Sequence, residues 1–100
     1  MIRHIVLFSA KRPEDAEAIL AALGRLRAIP HALRLEVARN AKLDPLSGEI
    51  DVIVYGEFAD AKALARYRAH PIYRQTIGIV RPLRDLRIVV DYEVPQPSDG

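Results

Sequence analysis

Three strand-like segments of this chain carry apolar side chains on both of their sides, and the helices are too few to cover two sides of a sheet. Ile2 to Ser9 sets Val6 and Phe8 against Ile5 and Leu7, because successive side chains in a strand point to opposite faces. Ile50 to Phe58 divides Ile50, Val52, Val54 and Phe58 from Ile53 and Tyr55, and Leu86 to Tyr92 divides Leu86, Ile88, Val90 and Tyr92 from Val89. A fourth segment alternates Leu33, Leu35 and Val37 with Arg34, Glu36 and Ala38, which predicts a strand with one wetter face. Two helices cover one face of a four-stranded sheet. A second apolar face left bare would be an exposed patch of several hundred Å². Its simplest cover is another copy of the chain, meeting it through Ile5, Leu7, Ile53 and Val89 or the alternate set. At about 25 cal/mol per Å² of apolar surface, such an interface would supply much of the total stability.

The punctuation between strands is consistent with this count. Pro13 opens a helix with Glu14 and Asp15 at its positive end; Ile19, Leu20, Leu23 and Leu26 recur at helical spacing, and Pro30 stops the run. Asn40 to Gly48 is rich in turn formers. Asp60 reads as the N-cap of a helix bearing Ala61, Leu64 and Tyr67 on one face. Pro71 interrupts that helix, and Tyr73, Ile77 and Val80 continue a short second piece until Pro82. From Glu93 onward the prolines, serine and glycine have little to bury, so a domain over 1–94 is followed by a flexible C-terminal tail over 95–100. The order is β-α-β-β-α-β. It predicts an α+β, ferredoxin-like split-βαβ fold with a four-stranded antiparallel sheet and helices on one face, assembled as a dimeric α+β barrel.

Composition removes several classes of function. At 100 residues there is room for one domain, and a chain of this size buries about 65% of its extended surface. The net charge is only +2 and the arginines are distributed along the sequence, so no nucleic-acid stripe is expected. Without cysteine there are no disulfides, zinc thiolates or thiol nucleophiles, which suits a reducing cytoplasm. The apolar run after Met1 is too short for a signal peptide, and no stretch reaches membrane-spanning length, so a cytoplasmic protein with no membrane partner is expected. The three histidines lie far apart and the glycines are scattered, leaving no metal constellation, no phosphate loop and no expected cofactor.

Four segments carry a resemblance. Ile2-Arg3-His4-Ile5-Val6-Leu7-Phe8, Phe58 at the end of the third strand, Tyr67-Arg68-Ala69-His70-Pro71-Ile72-Tyr73 and Val89-Val90-Asp91-Tyr92 together resemble the stress-responsive dimeric A/B barrel (Dabb) family, over nearly the whole chain up to the tail. The resemblance implies a homodimer whose sheets face each other, with helices outside. The family is similar in fold to small polyketide cyclases and monooxygenases, so the fold alone selects no chemistry. One relative, plant olivetolic acid cyclase, carries a His-Pro-x-His segment preceded by a tyrosine, and its second histidine is the general base. Carried over by position, the tyrosine is Tyr67, the first histidine is His70, and the basic second histidine is replaced by Tyr73. The first-strand pocket histidine corresponds to His4, and the third-strand one aligns with Val52. The resemblance thus implies a ligand pocket of His4, Val52, Tyr67, His70 and Tyr73, with His4, Tyr67 and Tyr73 as catalytic candidates. Proton abstraction at neutral pH needs a group with a pKa near 7. A tyrosine, ordinarily near 10, is a hydrogen-bond donor to an oxyanion rather than a base.

Each candidate also has a structural reading. His4 fits a hydrogen-bonded core histidine, His70 a helix-end cap on the negative end of the dipole, and His31 a solvated turn. Tyr67 and Tyr73 fit aromatic packing on the sheet. Asp91 fits an ion pair with Arg3 or Arg87. The leading expectation is a homodimer that binds a small apolar or aromatic molecule between sheet and helices. The alternatives are a polyketide-cyclase-like or isomerase-like enzyme using His4, Tyr67 and Tyr73, and a structural, stress-protective dimer without ligand.

Overall fold

A computed structural model describes residues 1–95. The elements are β1 (Ile2–Ala10), α1 (Ala16–Gly24), β2 (Arg34–Arg39), β3 (Val52–Phe58), α2 (Ala61–Ala69), α3 (Pro71–Val80) and β4 (Arg84–Glu93). The sheet has the order β2-β3-β1-β4, with every neighbouring pair antiparallel. This is the ferredoxin-like, split-βαβ arrangement.

Short 3₁₀ turns, Pro13–Asp15 and Arg25–Ala28, extend α1 at both ends. Ala16, Ile19, Ala22, Leu23 and then Leu26 form its buried stripe, at the three- and four-residue steps of a helix. Asp60 caps α2 by accepting the Ala63 N–H at 2.8 Å. Pro71 both ends α2 and occupies the first turn of α3, where its missing N–H costs nothing. The result is two short helices meeting at His70 rather than one long one. Among the described residues no helix is long and apolar enough to cross a membrane.

The helices cover the sheet face that carries His4, Val6 and Phe8 of β1 and Val52, Val54 and Phe58 of β3, all buried. Gly56 belongs to this face. A Cβ there would lie 2.8 Å from Phe58 Cε2 and 3.1 Å from Leu35 Cδ1, so the Phe58 ring occupies the space that a side chain at 56 would need.

The other face is open in the single chain. Register places Ile5 between Tyr55 and Val90, and Leu7 between Ile53 and Ile88. Leu86, Ile88, Val90 and Tyr92 on this face are 37–47% exposed although large and apolar. Val89 does not belong with them: it pairs with Val6 and packs against the core. The open face therefore groups Ile5, Leu7 and Ile53 with Ile88 and Val90, a grouping that depends on cross-strand register.

β4 contains a bulge. Phe8 pairs with Arg87, but Ala10 pairs with Arg84, so β4 has one residue more than β1 over the same stretch. The Leu86 N–H, displaced from the ladder, donates to Ser9 Oγ at 2.8 Å. Strand ends also shift from the sequence pattern. Leu33 is 62% exposed and precedes β2, and Ile50 precedes β3. At the C-terminus β4 includes Glu93, and Val94 exchanges two backbone hydrogen bonds with Met1, at 2.8 and 2.9 Å. Pairing thus reaches beyond Glu93, where composition places the first tail-like residue. Of the expected tail, 96–100 lie outside the described residues.

Candidate functional site

β1 and β4 set His4 directly opposite Asp91 on the helix-covered face. His4 Nδ1 lies 2.6 Å from Asp91 Oδ1. The imidazole is 1% exposed, with the rings of Phe58 and Tyr67 edge-on at 6.1 and 6.3 Å. Burial pushes the His4 pKa below the usual imidazole value; Asp91 opposes that shift, and Arg68 and Arg87 reinforce it. The ring is therefore neutral at pH 7. A carboxylate only accepts, so Nδ1 carries the proton and the lone pair is on Nε2.

A stability signature follows. A folded pKa below the unfolded value of about 6.5 means that the unfolded chain binds more protons. The stabilisation is complete above pH 6.5 and is lost as pH falls from there through the lower folded value. Chemical denaturation at pH 7 and pH 5 should show this loss in the wild type and a smaller one in His4→Phe. Nitrogen-detected NMR at pH 7 should find the Nδ1–H tautomer.

Asp91 also lies 3.8 Å from Arg68 Nη2. Its partners are thus His4 and Arg68, rather than Arg3 or Arg87. Arg3 is on the opposite sheet face and donates to the Tyr92 hydroxyl at 3.2 Å. Arg87 donates to the Tyr73 hydroxyl at 3.3 Å.

Tyr67 is fully buried, its ring 4.9 Å from Phe58 and 5.1 Å from Tyr73. Burial pushes its hydroxyl well above the ordinary phenol range, so it is a donor and not a base. Val52 is 0% exposed and pairs with Phe8, inside the closed core. His70 does cap a helix, but with the opposite polarity to that expected. Its Nδ1 accepts the Ile72 N–H at 3.1 Å, at the positive end of α3, and its ring neighbours His31 at 6.1 Å. The structure thus gathers His4, Tyr67 and Tyr73 into one aromatic cluster with Phe58, and leaves His70 outside it.

The open space lies to one side of that cluster. A cavity of about 200 Å³ separates α3 from β4, lined by Phe8, Tyr73, Ile77, Val80, Arg81, Arg84 and Arg87. Tyr73 is the one sequence-derived pocket residue on its wall. A second recess on the far side of Tyr73 and Ile77 adds Arg68 and Arg74. In the sequence these arginines are dispersed. Arg84 and Arg87 are three apart, a spacing that places two strand residues on opposite faces, and only the bulge brings both onto the helix side. No three His, Asp or Glu side chains among the described residues converge on a metal-sized site.

The chain is similar to several solved structures. A dimeric ferredoxin-like protein of unknown function from Thermobifida fusca is 27% identical, with a TM-score of 0.78 over 93% of this chain and 90% of that one. A dimeric ferredoxin-like protein of unknown function from Jannaschia sp. is 21% identical, with a TM-score of 0.82 over 93% and 98% of the two chains. An antibiotic biosynthesis monooxygenase is 19% identical, with a TM-score of 0.77 over 96% and 100%. At that identity the likeness shows a shared fold. No curated protein matches. The profile of the family described as "Stress responsive A/B Barrel Domain" matches residues 2–94, from the first residue of β1 to the last residue paired at the end of β4. The chain belongs to the stress responsive A/B barrel domain family.

Proposed function

We propose that the chain works in the cytoplasm as a homodimer packed through its open sheet face, each copy holding a small apolar or aromatic molecule beside Tyr73. The observation that carries the assembly is the row of Leu86, Ile88, Val90 and Tyr92, too apolar and too exposed for a monomer's surface. The dimeric relatives from Thermobifida fusca and Jannaschia support it. The ligand reading draws on the cavity between α3 and β4, whose wall combines Phe8, Ile77 and Val80 with a few polar groups. A cysteine-free chain suits a reducing compartment. Light scattering at micromolar concentration tests the assembly: the expected mass is twice 11.2 kDa, and a stable monomer overturns it.

The 2.6 Å contact between His4 and Asp91 favours a second reading, a cyclase-like or isomerase-like enzyme. A base held in one tautomer by a carboxylate is a recurring catalytic arrangement. Against it, His4 and Tyr67 are each 1% exposed, so a substrate would reach them only if the aromatic cluster opened. On the leading reading, the wild type is inactive or very slow in a polyketide cyclisation assay. Tyr73→His, which supplies an imidazole at the cavity wall, should then raise trace turnover by up to the 10²- to 10⁴-fold typical of general-base catalysis, roughly stated. Robust wild-type turnover that survives Tyr73→Phe and collapses in His4→Ala would establish the enzyme reading instead. A dimer with neither ligand nor turnover would leave the structural, stress-protective role.

A further inference from the structure

Three arginines, Arg81, Arg84 and Arg87, line the cavity between α3 and β4. Among the described residues none of the three has a carboxylate within 4.0 Å, whereas Arg12, Arg34, Arg39 and Arg68 each face one. Arg84 donates to the Asp85 carbonyl at 3.2 Å and Arg87 to the Tyr73 hydroxyl at 3.3 Å, which satisfies some donors and neutralises no charge. Arg84 and Arg87 are half-buried residues on the wall of the same cavity. Arginines without an acidic partner among the described residues can give charge-assisted hydrogen bonds to an oxyanion that enters. The guanidinium fork is matched to a carboxylate's two oxygens.

The rest of the wall constrains what the oxyanion is attached to. Ile77 and the ring of Tyr73, both half-buried, present the apolar surface, with the buried Phe8 and Val80 forming the floor behind them. The volume of about 200 Å³ is below the range that takes drug-sized ligands, and fits a single ring or a short chain. The geometry points to an aromatic monocarboxylate as the ligand of this cavity, its acid group held by Arg84 and Arg87 with Arg81 at the exposed rim, its ring against Tyr73 and Ile77. This rests on the reading that the cavity beside Tyr73 takes a small molecule, and adds the charge that selects it.

The test uses three probes titrated into the intact chain and followed by amide NMR: benzoate, benzyl alcohol and inorganic phosphate. Benzoate should shift the amides of Tyr73, Ile77 and Arg87 and bind at least about tenfold more tightly than the other two, since a charge-assisted hydrogen bond is worth roughly that factor. Arg84→Gln and Arg87→Gln should each weaken benzoate about tenfold while leaving benzyl alcohol unchanged. Arg81→Gln, at an exposed position, gives the same comparison with less risk to the fold and should show a smaller loss. Benzyl alcohol binding as tightly as benzoate would overturn the selection by charge while preserving the cavity as a ligand site. Phosphate binding as tightly as benzoate would reduce the site to a general oxyanion trap and overturn the aromatic part. Silence from both aromatic probes would remove the ligand reading itself.

Discussion

Val90→Arg leaves the chain folded and makes it monomeric. Val90 is 47% exposed in the single chain, opposite Ile5 and between Ile88 and Tyr92 on the open face, so an arginine there reaches solvent without disturbing the core. In a dimer built through that face, the same guanidinium would be buried without a partner. A two-fold interface contains the substitution twice. At about 2 kcal/mol per copy, a modest value for a desolvated unpaired charge, the dimer loses about 4 kcal/mol, or roughly a thousandfold in Kd. Sedimentation velocity at micromolar concentration reads the loss, and an unchanged far-ultraviolet circular dichroism spectrum shows that the fold survives. A variant that dimerises as tightly as the wild type would take the sheet face out of the interface.

Phe58→Ala should give the largest loss of stability from a single truncation, about 3–5 kcal/mol. Phe58 is 0% exposed and its ring touches three neighbours that cannot easily follow it inward: His4 at 6.1 Å, Tyr67 at 4.9 Å between centroids, and the bare Cα of Gly56. Gly56→Ala should also destabilise, by about 1–3 kcal/mol, because its new methyl meets the Phe58 ring edge at 2.8 Å. The two changes together should cost less than their sum, since the alanine at 58 removes the ring that the methyl would strike. Denaturant titrations of the four proteins, at one protein concentration because a dimer's stability depends on it, close the cycle. Strict additivity would mean that Gly56 is there for another reason.

The parts of this molecule legible in the sequence are those set by local chemistry. Pro13, Asp60 and Pro71 mark helix starts by what their backbones and side chains can do, and the two-sided apolar strands announce a sheet face that the helices leave open. What depends on register between distant segments is not legible. The pairing of His4 with Asp91 spans almost the whole chain. Either face of β4 fits its alternation, which is how Val89 could be grouped with Ile5. The polarity of the His70 cap depends on whether its ring turns toward the helix behind or the helix ahead, and a proline permits both. The arginine-lined cavity was the least accessible, because nothing in Arg84-Asp85-Leu86-Arg87 signals an extra residue.

That extra residue divides β4 into two stretches whose phases are set separately. Beyond it, Ile88 to Tyr92 are tied to β1 in regular register and carry the open apolar face; before it, Arg84 and the connection from α3 supply part of the cavity wall. Lengthening or shortening the connection on the near side would exchange which side chains line the cavity and leave the far side where it was. Such a chain can reshape its cavity by insertion or deletion, a kind of mutation that usually ruins a strand. Among the descendants of one barrel, length variation at this point would then record changes of the cavity, while the open sheet face was inherited intact.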